Sequence, residues 1–107
     1  MTAGDFEKLA DTTLERLRHA LEESAPDCDC EPKGSGVLEI ELRDGSRIIV
    51  NRHSAAQEIW VASRAGGSHF RRSGEDWVNT RDGTEFFASL SRLLSDQAGT
   101  PVVLRRE

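Results

Sequence analysis

Across residues 37–79, short alternating segments are separated by turn signals at Asp44-Gly45, Gly66-Gly67 and Ser73-Gly74. No other feature restricts the fold as much. Successive side chains of a strand point to opposite sides, so apolar and polar residues that alternate describe a strand with one wet face. Residues 37–42 set Leu38, Ile40 and Leu42 against Glu39 and Glu41. Asp44-Gly45 is a two-residue hairpin signal, after which residues 46–51 return. Residues 58–62 place Ile59 and Val61 on one side and Trp60 on the other, and further strands are expected at 69–71 and 76–79. The product is an antiparallel meander.

Two amphipathic segments flank it. Over residues 4–24, Phe6, Leu9, Ala10, Thr13, Leu14, Leu17, Ala20 and Leu21 recur at three- and four-residue intervals, the period of a helix with one apolar stripe. Pro26 ends it, because the residue before proline avoids the helical region. A second helix is expected over 83–97, with Asp82 and Glu85 as a capping pair, Phe86, Phe87, Leu90, Leu93 and Leu94 as its stripe, and Gly99 and Pro101 as its stop. Helices that are apolar on one stripe only, before and after a meander, predict an α+β fold, a two-layer α/β sandwich with both helices on one face of an antiparallel sheet. Residues 1–107 form one domain on this reading, since 107 residues are too few for two ordinary ones. Hydrophobic content of 36% suffices for one thin core when it is this regularly placed.

The net charge of −5 is unevenly distributed. Residues 1–31 carry nine acids and three bases, and the rest of the chain carries ten acids and eleven bases. A molecule so divided offers a cationic partner one preferred side. No basic stripe interleaved with aromatics is present, so nucleic acid is not an expected ligand. No apolar run approaches the roughly 20 residues that cross a bilayer. The first residues show neither a secretory nor a transit pattern, so the protein is expected in the cytosol, without a membrane partner.

On a helix, Glu7, Asp11, Glu15 and Glu22 fall within about 80° of one another, on the side away from the apolar stripe, with Arg18 among them. Asp27, Asp29 and Glu31 continue the acidic face into a loop or edge strand, where alternation sets Cys28 and Cys30 on the other side. With Glu23, these eight carboxylates are the candidate metal ligands. Carboxylate oxygens suit ferrous or ferric iron and other hard divalent cations. An open surface of this kind predicts weak, reversible binding, and ordinary solvated charges are the bland alternative.

The segments Val37-Leu38-Glu39-Ile40, Asp44-Gly45-Ser46, Ile49-Val50-Asn51-Arg52, Glu58-Ile59-Trp60-Val61-Ala62-Ser63 and Gly66-Gly67-Ser68-His69-Phe70 resemble the frataxin family. Asp5-Phe6-Glu7-Lys8-Leu9-Ala10-Asp11, Asp29-Cys30-Glu31, Trp77-Val78 and Arg81-Asp82-Gly83 extend the likeness over nearly the whole chain, in the manner of its bacterial members. The resemblance implies two helices on an antiparallel sheet and weak iron binding on an acidic ridge along the first helix and strand. It also implies an accessory or regulatory role in iron–sulfur cluster assembly, through contact with the cysteine desulfurase and scaffold protein. Glu58 departs from the glutamine usual there.

Trp60 is the second candidate, an anchor on the open sheet face flanked by Asn51, Arg52 and His69. Together with Glu15 and Glu22 these form the expected partner-binding set. Trp77 is assigned to the core. Cys28 and Cys30 read as exposed free thiols, and His19 as a helical ion-pair partner. Catalytic motifs are missing from the sequence, so the chain is expected to act by binding, as a monomer that metal could assemble further. The rival readings are an acidic protein-interaction module that works without metal, and a ferroxidase or iron store.

Overall fold

The structure is a computed structural model and describes residues 1–105; the last two residues of the expected 1–107 domain lie outside it. Helix α1 (Ala3–Ser24) is followed by six strands: β1 (Asp29–Pro32), β2 (Val37–Glu41), β3 (Arg47–His53), β4 (Glu58–Ser63), β5 (Gly66–Ser73) and β6 (Asp76–Asn79). Helix α2 (Phe86–Ala98) comes last. The strands pair in chain order as one antiparallel sheet, and the helices cover one of its faces, as expected.

Thr2 starts α1 by accepting the Asp5 amide on its side chain. The stripe of Phe6, Ala10, Thr13, Leu14, Leu17, Ala20 and Leu21 is buried against Leu38, Ile40, Ile48, Val50, Ile59, Val61 and Phe70 of the sheet. Trp77 is core, 2% exposed, with its ring edge-on to Phe6. Its indole N–H donates to the buried Thr13 hydroxyl at 2.8 Å, which satisfies two polar groups that burial would otherwise penalise.

Local expectations needed three corrections, and one further segment adds to the core. The β2–β3 connection is a three-residue loop, because Leu42 pairs with Ser46 and Gly45 takes the left-handed conformation (φ 86°), as in a turn closed by a bulge. Ser63 pairs with Gly66, so Arg64-Ala65 makes that turn and Gly66-Gly67 belong to β5. Glu85, not Asp82, caps α2, its carboxylate accepting the Phe87 and Ala88 amides; Asp82 instead accepts the Thr84 amide and holds the approach, so the helix starts at Phe86. Finally, the segment after α2, given no role by the sequence pattern, buries Val102 and Leu104. The Ser95 and Ser91 hydroxyls clip it by accepting the Val102 and Leu104 amides.

Candidate functional site

The acidic residues of α1 lie on the flank of the helix and not on its back. Glu7 accepts a hydrogen bond from the Ser54 hydroxyl at 2.8 Å. Asp11 pairs with Arg52 at 2.6 Å. Both partners belong to the end of β3 or the turn just after it, so the row borders the sheet. Farther along, Glu15 pairs with Arg18 at 3.2 Å, and the His19 imidazole lies 3.5 Å from the Glu23 carboxylate one turn on. Glu22 makes no ion pair among the described residues. A groove of about 220 Å³ runs between this flank and the β1–β2 turn, with Asp11, Glu15 and Arg18 on one wall and Pro32 and Ser35 on the other.

The acids of β1 do not continue the helix row on the same side. Cys30 points inward, toward α1, and alternation turns Asp29 and Glu31 to the open face of the sheet. There Asp29 stands opposite Glu41, and Glu31 opposite Glu39. Like charges directly opposite are destabilising. Lys33 relieves one pair, with its ammonium 3.6 Å from Glu31 and 3.8 Å from Glu39, and Arg47 lies 4.0 Å from Glu39. Asp27, at the turn before β1, faces Arg43 at 3.8 Å. The negative surface is therefore two patches that meet along the edge strand, one on the helix flank and one on the open face.

Chemically the donors are hard oxygens, which fit iron in either oxidation state or another hard cation. Among the described residues, no three or more His, Cys, Asp or Glu side chains converge as a metal cage. A cation here would be held by one or two carboxylates and complete its shell with water.

The cysteines are half-buried and packed against the core, not exposed as expected. Burial pushes the Cys30 thiol up to about 11, with Arg18 opposing and Glu22, Cys28 and Glu15 adding to the rise. Burial also raises Cys28, helped by Asp27 and Asp29. Both stay protonated near neutral pH and are poor nucleophiles.

Trp60 does lie on the open face, but its two ring faces are covered. His53 stacks on one at 3.8 Å between centroids, and His69 on the other at 4.5 Å. The tryptophan therefore offers its edge. Asn51 and His69 sit opposite Trp60 on the neighbouring strands, as expected. Arg52 does not: it pairs in register with the buried Ile59 and points to the helix side, where it meets Asp11.

Three residues given no role at the sequence level complete the patch. Glu58, 7% exposed, accepts from the Trp60 indole N–H at 2.9 Å and from Arg71 at 3.0 Å, with His69 at 3.5 Å. The Trp60 and Arg71 hydrogen bonds and the His69 charge hold its carboxyl below the usual range against the opposing effect of burial, the indole bond counting most. The available signal was the two-residue spacing of Glu58 and Trp60; His53 and Arg71 required the strand register.

The profile of the frataxin-like domain matches residues 1–100. The chain belongs to the frataxin-like family. It is 53% identical to the iron–sulfur cluster assembly protein CyaY of Dechloromonas aromatica over 98% of its own length and 100% of that protein. It is 51% identical to the CyaY protein of Herminiimonas arsenicoxydans over 98% and 97%. Among solved structures, frataxin from Psychromonas ingrahamii superposes with a TM-score of 0.88 at 27% identity, covering 96% of this chain and 97% of that one. Trimeric frataxin from the yeast Saccharomyces cerevisiae, complexed with ferrous iron, superposes with a TM-score of 0.72 at 28% identity, covering 86% and 87%. A frataxin-like member thus carries its acids in the two patches described above.

Proposed function

We propose that the chain is an accessory of iron–sulfur cluster assembly which acts in the cytosol by binding and not by catalysis. It holds ferrous or ferric iron weakly and reversibly on its acidic face, as cargo. With that face and the aromatic patch around Trp60 it docks on the cysteine desulfurase and scaffold of the machinery. The observation that carries this reading is the concentration of unshared negative charge along α1 and β1 in a frataxin-like frame. Among the described residues Glu22 and Asp29 have no ion-pair partner, and most of the other carboxylates are held by single, solvent-exposed bases that a stronger cation can outcompete.

The test is the double charge reversal Glu15→Lys with Glu22→Lys. Ferrous iron added anaerobically to the parent protein is expected to broaden amide signals within residues 5–31, with magnesium as the control cation. Desulfurase binding is followed by calorimetry. The double variant should lose the iron response and weaken desulfurase binding by about tenfold or more. Unchanged affinity for both would remove the acidic face from the reading.

One observation favours a second reading, an acidic docking module that works without metal: no cage of three or more donors converges among the described residues. Desulfurase binding that is equally tight with all divalent metal chelated would select it.

A further inference from the structure

Arg52 occupies a seat that three elements build for it. Its side chain lies over Gly36, a residue with φ of 73°, and a Cβ at that position would run into the guanidinium. The Arg52 amide donates to the Gly36 carbonyl at 2.9 Å, Nη2 donates to the Ser35 hydroxyl at 3.1 Å, and Nη1 reaches Asp11 Oδ1 at 2.6 Å. The Arg52 side chain is 15% exposed, whereas that of Asp11 is 52% exposed. The carboxylate is thus held from the sheet side and open to solvent on the other. It forms the only ion pair between α1 and the sheet among the described residues.

We infer that Arg52 is an internal counter-ion of the acidic face, one that competes with an incoming cation for Asp11 and gives way as the cation binds. The inference rests on the proposal that the α1 acids bind cations, and it adds how that binding is held in check. A metal ion on the free side of the Asp11 carboxylate would lie within about one side-chain diameter of the guanidinium, where like charges repel with little solvent between them. A short charge-assisted bond in a prepared seat resists this displacement more than the flexible pairs farther along the helix do. When Arg52 gives way it also releases Ser35 and Gly36. Occupancy on the helix flank is then transmitted to the turn joining β1 to β2, the strands that carry the open-face acids. Arg52 both lowers cation affinity on α1 and couples the two acidic patches.

The experiment follows ferrous iron, added anaerobically, by proton–nitrogen NMR in the intact protein and in two variants. In the parent protein the Arg52 Nε–Hε signal and the Ser35 and Gly36 amides are expected to shift in step with the amides around Asp11. Arg52→Met should tighten iron binding by about three- to tenfold, the range expected for losing one partly exposed charge-assisted competitor. Lys8→Met removes the same charge from α1 without touching Asp11 and should change affinity much less. Two results overturn the proposal while sparing the iron reading: iron that binds around Asp11 but leaves Arg52, Ser35 and Gly36 unmoved, or equal tightening by the two variants. No response to iron along α1 in any of the three proteins would overturn both. The parent spectrum decides the displacement step even if Arg52→Met folds poorly.

Discussion

Glu58→Gln tests the polar support of the aromatic patch with little change in shape. The carboxylate accepts from the Trp60 indole at 2.9 Å and from Arg71 at 3.0 Å. Glutamine can keep one acceptor oxygen for the indole but loses the charge that strengthens both bonds. A hydrogen bond to a charged group contributes roughly 1.5–3 kcal/mol and a neutral one about 0.5–1.5 kcal/mol. The Arg71 side chain is 67% exposed, so solvent screening takes most of its share. A net loss of about 1 kcal/mol at pH 7 remains, which lowers the melting temperature of a chain this size by about 4–6 °C. The pH dependence carries the sharper signature. The folded-state pKa of Glu58 is depressed, so its stabilisation is fully present above the unfolded value of about 4.3 and is lost as pH falls through the folded value. Thermal unfolding, read by Trp60 and Trp77 fluorescence, should show a gap between parent and variant at pH 7 that narrows as pH falls below the unfolded value and closes once the folded-state carboxyl is protonated. A gap that stays the same size across the acid range would refute the charge-based account, and no gap at any pH would mean that the Glu58 bonds contribute nothing net.

Three further outcomes follow from the same structure. Thr13→Val leaves the buried Trp77 indole N–H without its acceptor and should cost about 1–3 kcal/mol in urea unfolding, with Thr13→Ser recovering most of the loss. Gly36→Ala forces both a positive φ and a clash with Arg52, costing on the order of 1–3 kcal/mol; in an Arg52→Met background the penalty should shrink measurably, as residues in contact couple. With Cys30 pushed up to about 11 from 9.0, its alkylation by iodoacetamide at pH 8 should run on the order of a hundredfold slower than in the urea-unfolded chain, because only the thiolate reacts.

Why some of this was legible in sequence and some was not follows from what each signal measures. Periodicity reports which side of its own element a residue occupies. That sufficed for the α1 stripe, for Leu38 and Ile40 in β2, and for Trp60 on the open face. It does not report what stands opposite, which depends on loop lengths. The loop after Leu42 holds three residues rather than two, and the hairpin after Ser63 closes on Arg64-Ala65. The turn over residues 54–57 sets His53 opposite Glu58, and the hairpin after Ser63 sets Arg71 opposite it on the other side. Helical angle alone also misplaced the acidic row, since a flank and a back look alike until a second layer is present. Arg52 shows this most clearly: adjacent to Asn51 in sequence, it was grouped with Trp60, yet one step along a strand reverses the face.

The same parity rule changes how the acidic surface must be engaged. A partner that met a single continuous ridge would need one basic strip laid along α1. Here Glu15 and Glu22 project from the helix flank, whereas Asp29 and Glu31 project from the far side of β1, where they oppose Glu41 and Glu39. Both patches are reached together only from the edge of the sheet, where β1 has no further strand beside it among the described residues. Pro32, which lacks an amide donor, and the charged side chains of β1 discourage another strand from pairing there. A partner approaching that edge is therefore selected for side chains and not for backbone pairing. On the docking reading proposed above, the complementary surface would be a cleft lined with arginine or lysine on two walls, closing on the edge strand from both sides, with the aromatic patch around Trp60 available to one wall only.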